Sequence, residues 1–519
     1  MSHLLHNRLR MTEATLNRFT TYLFHPDRRT AMIALLGLCL AGALVGGLYV
    51  GALGGLYAVA GAIALIGGLL MLRSTQWGLS FLVGVICLLP FAALPMFKSR
   101  LGFTPTFLDL VLVAIFFVWV TRIATRRDRT FVASPLGLPV ALFMLFALFA
   151  FVLGMGHARP TSTTLRRFLE LLIGISLFFV VINNIRTRED MERLAGVIML
   201  AGAAAAFTAI FLYVIPEDWA VRLLSTLGRL DYPAGRGVLR FIEDNPDNPM
   251  RAVGTSIDPN VLGGLMVFVS GLTAPQLFAD RPLFDRRLVA VMLGAQMLCL
   301  YLTYSRSSMM GFAVVLLVLA LLRYRRLLWV GLLGMALLLL LPQTQTYIVH
   351  LVEGVRGQDL ATQMRFGEYK DAFILIGRHP WLGVGFSGTP EIDIYLGVSS
   401  VYLLMAEEMG LIGLGLFLLA MALLFVRFWR CWRRGVLEPR LEAVLLGFGG
   451  ALTGVLVAGV LDHYLFNLVY PHMTALFWLY VGLAVVTVGM AEGTTAIHAP
   501  GKGGTSGKQI MSRGGALCH

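Results

Sequence analysis

The chain carries arginine where chemistry on a phosphate would need it. Residues 216–257 hold Arg222, Arg229, Arg236, Arg240 and Arg251 and no lysine, and residues 342–399 hold Arg356, Arg365 and Arg378 with the single Lys370. A guanidinium is a planar fork that grips phosphate through paired hydrogen bonds and stays charged at any physiological pH. Such segments suit a lipid diphosphate. The plainer reading of any one arginine is solvation, or pairing with Asp231, Glu243, Asp244, Asp247 or Glu368. Arg306 is a different case. It stands in Thr303–Tyr304–Ser305–Arg306–Ser307–Ser308, between two apolar runs with almost no polar chain around it. A charge placed there is costly unless it is paired or snorkels to the headgroups. Tyr304 and Ser305 add hydroxyl donors for phosphate oxygens.

Three further groups could move protons or fix geometry. From Arg365 the spacing predicts a helix with Phe366, Tyr369 and Phe373 on one side and Arg365, Glu368 and Asp371 on others. His379–Pro380 and the Gly383-x-Gly385 pair then stop it. Ser256–Ile257–Asp258–Pro259–Asn260 is read as capping a helix start, with Asp258 or Asn260 as the cap. Asp462 and His463, with His472, lie at another helix end, where an Asp–His pair is either an acid/base site or an interfacial hydrogen-bonded pair.

The elements that must hold these residues are membrane helices. The 519 residues are 57% hydrophobic and 14% charged, with a mean hydropathy of +0.78. A soluble chain carries roughly a quarter charged residues. The apolar residues form continuous runs of bilayer length, not the short alternating segments of a barrel. The fold class is therefore all-α, a polytopic membrane protein of 12–14 spans, starting near Ala31, Ala52, Leu79, Phe107, Val132, Phe168, Leu194, Val261, Leu288, Met309, Leu327, Ser400, Leu441 and His472. Taking the basic segment 1–30 as cytoplasmic makes every second connection arginine-rich, which puts both termini inside and the loops 216–257 and 342–399 outside. The organisation expected is a basic segment 1–30, a membrane domain 31–490 and a disordered tail 491–519. No small-residue cleavage site follows the first apolar run, so it is read as a retained anchor. The net charge of +13 follows the loops and is no sign of nucleic-acid binding. The five cysteines show neither metal spacing nor a disulfide framework.

Several of these segments together resemble the O-antigen ligase and polymerase superfamily of bacterial membrane glycosyltransferases. They are Asp258–Pro259–Asn260, Tyr304–Ser305–Arg306, Arg365 with His379–Pro380–Trp381–Leu382–Gly383–Val384–Gly385, and Tyr402–Leu403 with Glu408–Met409–Gly410–Leu411–Ile412–Gly413, spread over about residues 245–483. The resemblance implies an inner-membrane enzyme that takes a glycan from an undecaprenyl-diphosphate carrier on the periplasmic side, without cofactor, nucleotide sugar or metal. The acceptor is a second lipid-linked glycan in polymerases, and the lipid A core in ligases. It implies that Arg306 and Arg365 hold the diphosphate. It also implies partners in the same pathway, a flippase and a chain-length regulator. One position departs from the family. Ligases carry a catalytic histidine about eleven residues before the glycine that matches Gly410, and this chain has Ser399 there. Serine is no general base near neutral pH without activation, which favours the polymerase branch and leaves Glu368, Asp371 and His463 as unordered candidates for a base. A transporter would show charge at mid-helix, whereas the charges here gather at helix ends. A non-catalytic scaffold of an envelope complex is the third class.

Overall fold

The computed structural model describes Gly67, Gly68, Met71 and residues 74–95, 102–125, 132–156, 158–339, 360–388, 397–435 and 438–493. The chain divides into two compact units, Met1–Leu69 and Leu70–His519, and the second is described here. The spans expected near Ala31 and Ala52, the segment 1–30, Arg356 and the tail beyond 493 lie outside the described residues.

Among the described residues the helices are α1 (Thr75–Leu88), α2 (Phe107–Ala124), α3 (Gly137–Gly154), α4 (Ser162–Asn184), α5 (Arg188–Val214), α6 (Glu217–Thr226), α7 (Pro259–Gln276), α8 (Arg286–Leu302), α9 (Arg306–Leu322), α10 (Arg326–Leu339), α11 (Leu360–Arg378), α12 (Val401–Arg433), α13 (Pro439–Ala458) and α14 (Pro471–Ala491). Apart from α6 and α11, which lie within the two long loops, each falls on an expected span. Local chemistry sets the starts. Thr106 and Asp109 form a reciprocal capping box on α2, Thr187 caps α5, and proline occupies the first turn of α7, α13 and α14, where its missing N–H costs nothing.

Burial sorts the bundle into centre and rim. The apolar window of α14 is 89% buried and that of α13 78%, against 39% for α2, α3, α5 and α12. The rim helices turn Phe117, Leu138, Leu145, Val152 and Phe211 outward. So large an apolar surface is expected of a protein whose solvent is lipid. Small residues let the central helices touch. A Cβ at Gly311 of α9 would stand 2.6 Å from the Gly454 carbonyl oxygen of α13, the close approach that membrane helix pairs favour. These contacts fix direction. Gly263 on α7 meets Ser305 and Ser308 on α9, so the two helices start side by side. Gly174 meets Ala475 and Gly482 meets Val181, so α4 and α14 also run parallel. The starts of α7, α9, α12 and α14 and the end of α13 thus gather at one end of the bundle, which the loop charges assign to the outside.

Candidate functional site

That end holds most of the residues singled out above. The segment before α7 makes a short antiparallel pair, β1 (Arg240–Phe241) with β2 (Met250–Arg251), in which Arg240 lies opposite Arg251. From β2, Arg251 donates through Nε to the Thr303 carbonyl oxygen at 2.8 Å and through Nη2 to Asn260 Oδ1 at 2.8 Å. It ties the loop to the end of α8 and the start of α7. Asp258 is the cap of α7, accepting from the N–H groups of Asn260 (2.7 Å) and Val261 (3.1 Å). Of the two readings of that motif, the cap belongs to Asp258, and Asn260 serves Arg251.

Of five non-glycine residues with left-handed φ among the described residues, the β-branched or aromatic ones stand at helix starts. Ile257 and Tyr304 both have left-handed φ, 64° and 51°. For a β-branched or bulky side chain this conformation costs of order 1–3 kcal/mol and clusters at functional sites. Each sits one residue before a helix cap, and each turns the chain sharply into the clustered ends. After Tyr304 the hydroxyls form a buried chain: Ser305 Oγ donates to Ser308 Oγ at 3.0 Å and lies 3.2 Å from Ser307 Oγ, and Ser307 Oγ donates to Asp462 Oδ2 at 3.2 Å. Tyr304 and Ser305 are buried, while Arg306 is half-buried.

Asp462, in the turn between α13 and α14, is the hub. Its Oδ1 accepts from the His463 N–H at 2.9 Å, and its carbonyl oxygen accepts from the Val401 N–H at 3.0 Å, which anchors the start of α12. Burial pushes its carboxyl above the usual range, with His463 pulling it back, Asp258 pushing it further up and Arg365 opposing. Asp258, Arg365, Asp462 and His463 therefore share one electrostatic neighbourhood. His463 Nδ1 lies 3.9 Å from Asp462 Oδ1, and the ring is 29% exposed.

Helix α11 lies over the same end. Glu368 Oε2 accepts from the Ser399 N–H at 3.0 Å, and Tyr369 Oη donates to the Ser399 carbonyl oxygen at 3.3 Å. Ala372 packs on Val398 and Leu404, while Phe366 and Phe373 face outward. Glu368 is thus engaged in holding the turn that carries Ser399, and its neighbour Asp371 is half-buried. His379 is not part of this cluster. It follows the last residue of α11, 14 positions after Arg365, which a helix rise turns into roughly 20 Å.

Beyond His379 the chain enters a break in α12. Gly410 has φ 66° and ψ −176°, which interrupts that helix and frees carbonyl groups. The Val384 N–H donates to the Glu407 carbonyl oxygen (2.8 Å), the Gly385 N–H to that of Glu408 (3.0 Å), and the Leu411 N–H to that of Pro380 (2.7 Å). A Cβ on Gly383 would lie 2.5 Å from the Glu407 oxygen, and one on Gly410 would run into the Trp381 carbonyl. The Gly-x-Gly motif is the insert, and the break at Gly410 is its socket.

The sequence reading passed over Glu407. It is 1% exposed, and neither carboxylate oxygen has a hydrogen bond among the described residues. It faces Glu368 and Asp371 electrostatically. The signal available was a Glu–Glu pair inside an apolar run. Arg167 was passed over too. On α4, it acts together with Arg240 on Tyr470 of the same end. No group of three His, Cys, Asp or Glu residues suited to a metal occurs among the described residues.

Compared with known families, residues 288–418 match the family model described as O-antigen ligase. The match spans α8 to the middle of α12. It includes Tyr304–Ser305–Arg306, Arg365, the Gly-x-Gly insert and its socket, and it stops short of Asp258–Asn260 and Asp462–His463. No curated protein matches the sequence.

Proposed function

Since residues 288–418 ally the chain with the O-antigen ligase and polymerase superfamily, we propose that it joins undecaprenyl-diphosphate-linked oligosaccharide repeat units at the periplasmic face of the inner membrane, in exopolysaccharide, capsule or O-antigen synthesis. The observation that carries this reading is the convergence of Arg251, Arg306 and Arg365 with Asp462 and His463 where four helices begin. Helix starts carry partial positive charge, so dipoles and guanidinium groups together favour a dianionic headgroup.

In the reaction, a hydroxyl oxygen of the acceptor sugar bonds to the anomeric carbon of the donor glycan. The bond from that carbon to the diphosphate oxygen breaks, and undecaprenyl diphosphate leaves with the electron pair. Arg306 and Arg365 stabilise the charge that grows on the leaving oxygens, the largest kind of contribution in such reactions. Arg251 positions the wall formed by α7 and α8. The acceptor proton goes to His463. Of the candidate bases His463 is partly exposed, with its ring 3.9 Å from the buried Asp462 carboxylate, whereas Glu368 is spent on Ser399 and Asp371 lies toward Glu407. Ser399 offers no base, and its backbone is clamped by α11, which favours polymerase over ligase.

The lipid-linked glycan profile of cells lacking the gene tests this. Single repeat units accumulating on the carrier, with long polymer absent, are expected. Full-length polymer retained on its carrier would indicate a ligase. Repeat units trapped on the cytoplasmic leaflet would indicate a flippase.

A further inference from the structure

At the opposite end of the bundle from the candidate site, the turn between α9 and α10 meets the start of α13 around a cavity of about 260 Å³, lined by Asp280, Arg323, Tyr324, Arg325, Arg326 and Glu442 among others. Three arginines against two carboxylates leave one positive charge in excess. Arg323 spends its charge on Glu442, at 3.5 Å. Arg325 and Arg326 are exposed and make no ion pair with a described residue. Two helices, α10 and α13, begin at this cavity, and no side chain caps α13, so their N–H groups and dipoles add to the positive field.

The surface beside the cavity says which anion fits. Leu321 at the end of α9 and Trp329, Leu332 and Leu333 on α10 are all more than half exposed. They form an apolar strip that begins one helical turn from Arg326. A tryptophan at that level with leucines beyond it is the pattern of a membrane interface passing into the acyl region. A soluble phosphate would have no use for such a strip, whereas a phospholipid would place its phosphate in the cavity and its chains along the leucines.

We propose that this cavity is a binding site for the phosphate of an anionic phospholipid headgroup, held by Arg325 and Arg326. It is separate from the glycan-transfer site and does not depend on the function assigned to it.

The test is native mass spectrometry of the full-length protein after reconstitution in vesicles of equal parts phosphatidylethanolamine and phosphatidylglycerol. The wild type is expected to retain phosphatidylglycerol in preference to phosphatidylethanolamine. The double variant Arg325→Gln/Arg326→Gln is expected to lose that retention roughly tenfold or more, the scale of losing charge-assisted hydrogen bonds. Arg325→Lys/Arg326→Lys, which keeps the charge, retains most of it and controls for folding. Arg430→Gln, an exposed arginine elsewhere on the same end, leaves it unchanged. Equal retention by the double Gln variant, or equal loss with Arg430→Gln, overturns the proposal. Stripping of the lipid from the wild type by millimolar inorganic phosphate overturns the lipid as the source of the phosphate.

Discussion

Arg427 and Arg440 at one end of the bundle and Arg251 at the other are held by different kinds of partner. At the inner end, by the loop-charge assignment, arginines meet glutamates: Arg440 with Glu192 at 3.2 Å and Arg427 with Glu492 at 2.7 Å join different elements, and Arg188 with Glu192 at 2.6 Å lies within α5. At the outer end, Arg251 donates to a carbonyl and an amide oxygen, which fixes where its charge stands. The acids nearby, Asp258 and Asp462, are occupied in capping a helix and in bonding Ser307 and His463. The inner pairs tie helices together, whereas at the outer end Arg166 is paired with Asp109 and Glu170 and Arg251 is anchored on neutral oxygens. The strain at Ile257 and Tyr304 belongs to the second end as well, as expected where geometry serves function over stability.

If this contrast is right, substitutions at the two ends should differ in kind. The largest effect is expected at the socket that carries the outer end. Gly410→Ala drives a Cβ into the Trp381 carbonyl at a left-handed position, and should cost about 4 kcal/mol or more, beyond what an ordinary substitution does. Loss of folded protein in detergent extracts, read by size-exclusion chromatography, checks it. Normal recovery would mean that insert and helix can part without consequence.

Next come the outer arginines and the histidine. Arg365→Ala and Arg306→Ala should each lower chain elongation by about 10²–10³ at unchanged protein level, the scale of removing one preorganised donor to a developing oxyanion. His463→Ala should lower it by about 10²–10⁴, the usual worth of a general base. Arg427→Ala, the inner counterpart, should leave elongation near the wild type and cost about 1 kcal/mol of stability at most. Comparable losses of elongation at both ends would erase the distinction.

A smaller effect sharpens the role of Asp462. Burial, opposed by His463 and Arg365, raises its carboxyl pKa, so its ionised form appears above the ordinary carboxylate range. The rate should climb as pH rises through that value, and Asp462→Asn should remove this acidic limb from the profile. The sign for stability is the reverse. A raised folded pKa favours folding at acid pH and loses that contribution as pH rises through the folded value, so the same variant should flatten the dependence of Tm on pH.

Much of this architecture was legible because the bilayer imposes a simple grammar. The spans expected near Phe107, Val132 and Leu441 are α2, α3 and α13, since length and hydropathy alone decide them. The helix from Arg365 was legible from its period, and the cap at Asp258 from residue type. The partnership of Asp462 with Ser307 was not, because it joins residues 155 positions apart. Nor was the purpose of the Gly-x-Gly pair, which is set by a helix break 25 residues further on. Glu407 was hidden for a different reason. It stands in the gap between Tyr402–Leu403 and Glu408–Gly413, and what sets it apart is its burial, which only the fold shows.

In the function proposed, the outer end transfers glycan from a lipid diphosphate, with Arg306 and Arg365 as its grip. The most direct measurement is elongation by the full-length protein reconstituted in vesicles with undecaprenyl-diphosphate-linked repeat units as the sole glycan source. Polymer should lengthen with release of undecaprenyl diphosphate in the wild type, and fail to lengthen in Arg306→Ala/Arg365→Ala that still folds. Undiminished elongation by the folded double variant would rule out that role for the two arginines.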